Sequence, residues 1–150
     1  MFAETNRLGL ALLLLRLVIG VAFVLHGAPK MAHASTWMNT MPFHPPAFLQ
    51  ETAAVAEFFG GLALVIGVAS RVAAGLIAID MLVAIAAVHI PAHTPLVSAG
   101  GESMELPGVY LVGALAIVLT GPGKWSVDAL IARRANLPRL ASDRRRAAAR

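Results

Sequence analysis

Five ionisable residues lie within stretches of sequence that are otherwise apolar: Arg16, His26, Glu57, Asp80 and His89. A charged side chain at the centre of a membrane helix costs about 2.5 to 3.5 kcal/mol on insertion scales, so each of them needs a compensating interaction. Residues of this kind form sites for a proton, a quinone or a small solute, or they are buried groups that fix the register of neighbouring helices. Both interpretations stay open at the level of the sequence.

The elements that hold these residues are predicted to be membrane-spanning helices. Of the 150 residues, 58% are hydrophobic and 13% are charged, whereas about a quarter of an average globular domain is charged. This composition argues against an ordinary soluble enzyme, and the absence of cysteine excludes disulfides and thiolate metal sites. A bilayer core about 30 Å thick requires roughly 20 apolar residues of helix. Four stretches are candidates, at residues 8–28, 52–69, 72–90 and 106–120, and the last, which is the shortest, is compatible with a thin or tilted span.

The distribution of Lys and Arg predicts how these spans are oriented. Seven of the twelve follow Ala132, and Arg7, Arg71 and Lys124 lie on the same side if both termini are cytoplasmic. Because Lys and Arg accumulate on the cytoplasmic side, this orientation is strongly favoured. The predicted fold is therefore an all-α membrane protein, an antiparallel four-transmembrane-helix bundle with both termini cytoplasmic. The basic tail over residues 137–150 is expected to be disordered and to lie near lipid, and we do not expect nucleic-acid binding.

The depth of each polar residue follows from the helical rise of about 1.5 Å per residue. Arg16 and Asp80 lie equally far from the predicted cytoplasmic starts of their spans, at about 12 Å, which predicts an ion pair between them. Glu57 lies higher, at about 18 Å, and His26 near the outer end. Arg16, His26, Glu57 and Asp80 are the candidate intramembrane polar site. Asp80 and His89 fall on opposite faces of a regular helix, so they reach one site only if that helix bends.

The remaining histidines and tryptophans have simpler interpretations. His33, His44 and His93 lie in the predicted outward loops, without the helical spacing of a ligand pair and without a cysteine to join them. We therefore predict no metal site. Trp37 and Trp125 are typical of residues that anchor a protein at the membrane interface.

The sequence after the fourth span predicts a turn followed by a short capped helix. Gly121 to Gly123 should end the span, because Pro122 cannot easily continue the hydrogen-bond ladder of the helix and the glycines favour a turn. Ser126 is a candidate N-cap for an interfacial helix over residues 127–135. Asp128 would then lie in its first turn, near the positive end of the helix dipole. This arrangement suggests anchoring.

Three stretches resemble the DoxX family of small bacterial membrane proteins. They read LRLVIGVAFVLHGAPKM, AEFFGGLALVIGVASRVAA and LTGPGKWSVDALI, in that order along the chain. The Gly-Pro-Gly-x-x-Ser-x-Asp element is the most specific of them. The positions that match the family motifs are Gly20, Gly27, Lys30, Gly60, Gly61, Arg71, Gly121, Pro122, Gly123, Ser126 and Asp128.

The resemblance implies a multi-pass protein of the bacterial inner (plasma) membrane. Some relatives are membrane subunits of oxidoreductase systems, including a thiosulfate:quinone oxidoreductase and a complex that protects against oxidative stress together with soluble thiol and superoxide enzymes. The family supplies no catalytic residues to transfer. We interpret the chain as a membrane subunit or anchor of such a redox or oxidative-stress system, not a self-sufficient enzyme. Its expected partners are the bilayer and a soluble oxidoreductase or another membrane subunit, with a quinone or proton site in the bundle.

Two alternatives remain from the sequence. Ionisable groups at three depths are compatible with a small-solute or proton-coupled transporter, although the chain has no internal repeat of the kind on which many transporters are built. The basic tail is compatible with a membrane scaffold that carries out no chemistry.

Overall fold

The computed structural model of this protein describes residues 2–40 and 44–135, with side chains from Asn6 onward. Within these ranges the chain is helical and contains no strand. The predicted tail over residues 137–150 lies outside the described residues. The helices are α1 (Phe2–Met31), α2 (Ala47–Ile66), α3 (Ser70–Ala84), which continues into a π-helical turn (Ile85–His89), α4 (Glu105–Thr120) and α5 (residues 127–135).

The connection between α2 and α3 is short because α2 ends at a glycine. Gly67 adopts a left-handed conformation, with φ of 80°, which has no steric cost for a residue without Cβ. Its N–H and that of Val68 both bond to the carbonyl oxygen of Ala63, at 2.8 and 3.0 Å. These bonds satisfy the carbonyl of Ala63 in the last turn of α2, and the chain reverses, so α3 begins at Ser70 and packs beside α2.

Among the residues that the structure describes, three helical stretches are long and apolar enough to cross a membrane: Asn6–Met31, Ala47–Ile66 and Ser70–His89. The helix α4 is apolar but shorter. Large apolar side chains are exposed on all of them, and Leu119 on α4 exposes 78% of its surface. Soluble monomers rarely expose apolar surface of this extent, so the exposed faces are those of a protein surrounded by lipid.

The four long helices pack in chain order, α1 on α2, α2 on α3 and α3 on α4, and α4 also contacts α1. Small residues let α1 and α2 approach closely. A Cβ built on Gly20 would lie 2.7 Å from the carbonyl oxygen of Gly61, and a Cβ on Gly27 would lie 2.5 Å from the backbone nitrogen of Phe58. A Cβ built on Gly60 would make only ordinary van der Waals contacts with α3, at 3.6 Å or more. The fully buried apolar core consists of Phe23, Ala54, Leu64, Ala74, Ile77, Ala114 and Ile117.

Candidate functional site

The residues of the predicted polar site lie in three separate places. Arg16 is buried where the α2–α3 turn meets the segment before α5. Glu57 and Asp80 line a cavity nearer the other end of the fold. His26 is exposed on α1, with its ring in edge contact with Tyr110 at 6.3 Å between centroids. The predicted ion pair between Arg16 and Asp80 is wrong.

The error lies in the relative height of the helices. The start of α1 packs along the segment after α4, where Gly9 contacts Lys124. As a result Arg16 is level with Gly67, just before α3 begins. Asp80 lies ten residues beyond Ser70, or about 15 Å further along the helix. Depths counted from the starts of two spans are comparable only if both spans begin at one level, and the packing of the helices shifts α1 and α3 relative to each other.

Arg16 forms the centre of a group that we call the arginine cluster: Arg16, Gly67, Trp125, Ser126 and Asp128. Its side chain is 1% exposed, and Nη2 donates a hydrogen bond of 2.6 Å to the backbone oxygen of Trp125. A Cβ on Gly67 would collide with Nη1 of Arg16 and would lie 2.8 Å from Cβ of Ser126. The negative charge of Asp128 faces the guanidinium, and this attraction offsets part of the cost of burying it.

Asp128 connects α5 to the beginning of α3. Its Oδ1 accepts a hydrogen bond from the N–H of Ala69 at 2.8 Å, and its Oδ2 accepts one from the N–H of Ser70 at 2.9 Å. Its own N–H donates to the carbonyl oxygen of Gly67 at 2.9 Å. Burial raises the pKa of the Asp128 carboxyl, but the hydrogen bonds from Ser70 and Ala69 and the charge of Arg16 lower it by more, so the pKa lies below its ordinary value.

Ser126 caps α5, as the sequence predicts. Its Oγ accepts a hydrogen bond from the N–H of Ala129 at 3.1 Å and donates one to the carbonyl oxygen of Gly123 at 2.8 Å. The arginine cluster therefore joins α1, the α2–α3 turn and α5 through the hydrogen bonds of Arg16, Ser126 and Asp128, while Nε and Nη1 of Arg16 are buried without a partner among the described residues.

A cavity of about 430 Å³, open on one side, lies between α2, α3 and the first loop, which joins α1 to α2. We call it the carboxyl cavity. Most of its lining is apolar, which is typical of sites for small organic ligands. The polar side chains that line it include Lys30, Glu57, Asp80 and His89.

Glu57 is the most buried of these polar residues, with 4% of its surface exposed. Its Oε1 accepts a hydrogen bond from Nζ of Lys30 at 2.5 Å, and this ion pair links α2 to the end of α1. The ammonium group also lies 4.1 Å from the ring centroid of Trp37, a cation–π contact. Oε2 of Glu57 has no hydrogen-bond partner among the described residues, and the carboxyl of Asp80 is its neighbour. Lys30 thus forms its ion pair with Glu57, and its charge also acts on the neighbouring carboxyl of Asp80.

The π-helical turn brings His89 to the same cavity as Asp80. The N–H of Ile90 bonds to the carbonyl oxygen of Ile85 at 2.9 Å, a spacing of five residues that underwinds the helix. This is the irregularity that the sequence requires if both side chains are to reach one site. Nδ1 of His89 is buried without a partner in the described part of the chain. Turns of this kind occur frequently at functional sites.

Gln50 organises the first loop over the cavity and is not predicted from the sequence. It is 2% exposed, and its backbone oxygen accepts a hydrogen bond from Nε1 of Trp37 at 3.1 Å. Its Oε1 accepts from the N–H of Met38 at 2.9 Å. Its Nε2 donates to Oδ1 of Asn39 and to the carbonyl oxygen of Pro45, both at 3.0 Å. The sequence offers one signal for this role, an amide side chain four residues after Pro46, in a segment that is predicted to be a loop.

The described residues contain no group of three or more His, Asp or Glu side chains arranged to hold a metal ion. Glu57 Oε2 and His89 Nδ1, which have no partner among the described residues, are free to form hydrogen bonds at this apolar cavity. The arrangement can hold a ring or chain against its apolar walls and place a polar substituent beside Lys30, Glu57 and Asp80.

Comparison with curated proteins and with solved structures gives no match. The family model described as DoxX matches residues 11–90. This stretch includes Arg16 and the polar residues of the carboxyl cavity, whereas the Gly-Pro-Gly-x-x-Ser-x-Asp element lies beyond it. With three helices long and apolar enough to span a bilayer, the match supports a multi-pass membrane protein. Because it covers more than half of the 150 residues, the chain belongs to the DoxX family.

Proposed function

We propose that this protein is a quinone-binding membrane subunit of a redox or oxidative-stress system, and that its quinone site is the carboxyl cavity. The observation that carries the proposal is the buried Lys30–Glu57 ion pair, with Asp80 beside it, in the wall of an otherwise apolar cavity. The protein binds the ligand and handles its protons, and an oxidoreductase partner supplies or removes the electrons.

The proposed topology is a four-helix bundle in the bacterial inner membrane, with both termini cytoplasmic. It is supported by the basic residues near one end of the fold, Arg71 at the start of α3 and Arg133 and Arg134 on α5. Lys30 lies at the other end. The sixteen residues of α4 reach about 24 Å, which suits a locally thin bilayer or anchoring of the helix ends by interfacial residues.

The size and chemistry of the cavity suit a quinone headgroup. Its volume of about 430 Å³ lies in the range of small-molecule sites, which begins at about 300 Å³. The apolar walls match a substituted ring and the first part of a lipid tail. Nζ of Lys30 can donate a hydrogen bond to a carbonyl oxygen of the ligand, and the unpartnered Oε2 of Glu57 can accept one from a hydroxyl.

The two carboxyls give the site its capacity for protons. A quinone takes up two electrons and two protons when it is reduced to the hydroquinone. When Lys30, Glu57 and Asp80 are all charged, the trio carries one net negative charge, so it can take up a proton from water and hold it beside the ligand. His89 is a further polar side chain in the wall of the same cavity.

A transporter is less well supported by the arrangement of the core. A path between the carboxyl cavity and the arginine cluster would have to pass Phe23, Leu64 and Ile77, which are apolar and at most 1% exposed. The cavity therefore serves a ligand that enters and leaves on one side, laterally or from the loop end.

Quinone binding can be tested through Trp37, which lines the cavity and is one of only two tryptophans. In a Trp125→Phe variant in lipid nanodiscs, decylubiquinone should quench the fluorescence of Trp37 in a saturable manner. Ala56→Phe, which fills the cavity, should abolish saturation, and Ala11→Phe, at an exposed position on α1, should leave it unchanged. Linear quenching that is equal in all three proteins would refute quinone binding at this site.

A further inference from the structure

A second concave surface lies at the end of the fold opposite to the carboxyl cavity. It is a groove of about 590 Å³ between the beginning of α3, the Gly-Pro-Gly turn and α5. Three cationic side chains line it, Arg71, Lys124 and Arg133, together with a single carboxylate, Asp128. We call this surface the basic groove.

The carboxylate in the basic groove does not neutralise the cations. Both oxygens of Asp128 accept hydrogen bonds from backbone N–H groups, those of Ala69 and Ser70. In the part of the chain that the structure describes, none of the three cations forms an ion pair with a carboxylate. Lys124 donates to the neutral amide oxygen of Asn6. The groove therefore presents excess positive charge.

The position of the groove places it at a membrane interface. It adjoins Gly121, where α4 ends, and Ser70, where α3 begins, so it lies where the apolar helices leave the hydrocarbon. Apolar side chains are exposed beside it: Val72 in its lining exposes 66%, and Leu130 and Ile131 on α5 expose 55% and 58%. A ligand of this surface meets positive charge and apolar surface at once, a combination that matches a lipid.

We propose that the basic groove binds the headgroup of an anionic glycerophospholipid. The phosphate lies among Arg71, Lys124 and Arg133, where guanidinium groups form strong paired hydrogen bonds to phosphate oxygens. The acyl chains lie along the exposed apolar residues of α3 and α5. This site shares no lining residue with the carboxyl cavity, so the lipid proposal does not depend on quinone binding.

The test uses Trp125, which precedes α5 and lies under Nζ of Lys124, 5.0 Å from its ring centroid. In a Trp37→Phe variant it is the only tryptophan, so quenching by brominated lipids reports on the lipid beside the groove. The protein is reconstituted in bilayers that contain dibrominated phosphatidylglycerol or dibrominated phosphatidylcholine. We expect the anionic lipid to be preferred by about fivefold or more, the effect of one cation at a membrane surface.

A matched pair of variants separates the groove from general charge. Arg71→Gln with Arg133→Gln should reduce the preference to about one, whereas Arg7→Gln with Arg134→Gln removes the same charge from side chains outside the groove and should preserve it. Equal loss in both double variants would overturn the proposal, as would equal quenching by the two lipids in the parent. If the first double variant fails to fold, Arg133→Gln alone, an exposed change on α5, must lower the preference.

A competition experiment distinguishes a lipid site from a site for free phosphate. Millimolar inorganic phosphate is added to the same bilayers at constant ionic strength, with sulfate-free chloride buffer as the control. The preference for phosphatidylglycerol should persist, because only a lipid offers apolar contacts together with the phosphate. Loss of the preference in phosphate but not in chloride would show that the groove takes the free anion, and it would overturn the lipid proposal.

Discussion

The carboxylate of Asp128 accepts a hydrogen bond from the backbone N–H of Ser70, 58 residues earlier in the chain, and so caps the first turn of α3. The helix that carries Asp128, α5, is itself capped by Ser126, the residue directly before its first turn. Ser126 and Asp128, two residues apart in the Gly-Pro-Gly-x-x-Ser-x-Asp element, thus stabilise two different helices. Local capping by Ser126 can be predicted from the sequence, but capping of α3 by Asp128 requires the tertiary fold.

Replacement of Asp128 by Ala should lower the free energy of unfolding by about 0.5 to 2 kcal/mol, the usual cost of losing a helix cap. Thermal unfolding in detergent, followed by circular dichroism at 222 nm, measures this change. Asp128→Asn keeps an acceptor for one of the two N–H donors and should lose less. An unchanged midpoint in the Ala variant would contradict the capping role.

The lowered pKa of Asp128 predicts the direction of an acid dependence. A carboxyl whose pKa is lower when folded stabilises the fold above its unfolded pKa, about 3.9 for Asp, and this stability is lost as the pH falls through the folded value. Stability should therefore decrease with acidification from about pH 5 downward. The slope should be shallower in Asp128→Asn. Identical slopes in the parent and variant would exclude this contribution.

Gly67→Ala should be strongly destabilising, and Gly75→Ala is its matched control. Gly67 has φ of 80° and its added Cβ would collide with Arg16, whereas a Cβ on Gly75 meets nothing within 4 Å. The left-handed conformation alone costs about 1 to 2 kcal/mol for a residue with Cβ. In contrast, Gly75→Ala should stabilise α3 by about 0.5 to 1 kcal/mol. Opposite shifts of the unfolding midpoint are expected, and equal shifts would contradict the packing around Arg16.

The buried ion pair should show strong energetic coupling in a double-mutant cycle. Lys30→Met leaves the charge of Glu57 buried without its partner, a loss that costs about 3 to 5 kcal/mol in fully buried pairs. Lys30 keeps 24% of its side chain exposed, so we expect the lower end of that range. Adding Glu57→Gln to Lys30→Met should recover much of the loss. Additive effects of the two changes would contradict the pair.

Gln50→Leu should open the first loop while the helices remain folded. The change removes the acceptor of the Met38 N–H and the donor to Asn39 and Pro45. Hydrogen exchange at Met38 should accelerate, and the emission of Trp37 should shift to the red as the ring becomes more exposed. Both are measured in a Trp125→Phe background. Unchanged exchange and emission would show that Gln50 does not organise the loop.

The helical class of the fold is predictable because lipid imposes a simple requirement on the sequence. A span needs about 20 apolar residues with every backbone group paired within the helix, and hydropathy alone locates such stretches. Ser126 is predictable for a similar reason, since an N-cap depends on a few consecutive residues. These features are local.

The partners of the polar residues are not predictable in the same way, because they depend on how far one helix slides along another. Arg16 is level with Gly67 and not with Asp80, and no sequence periodicity reports that offset. His89 joins Asp80 through a π-helical turn, whereas Pro91 just beyond it predicts only that the helix ends there. Glu57 is recognised from the sequence as a costly residue, but its pairing with Lys30 follows only from the packing of α1 on α2.

Photoaffinity labelling with an azidoquinone in native membranes tests the proposed quinone site most directly. We expect crosslinks, mapped by mass spectrometry, to concentrate on cavity residues such as Leu49 and Met81 and to be suppressed by excess unlabelled quinone. The Ala56→Phe variant should lose them. Crosslinks spread over lipid-facing residues such as Val18 and Leu119, insensitive to competitor and unchanged in Ala56→Phe, would contradict a quinone site in the carboxyl cavity.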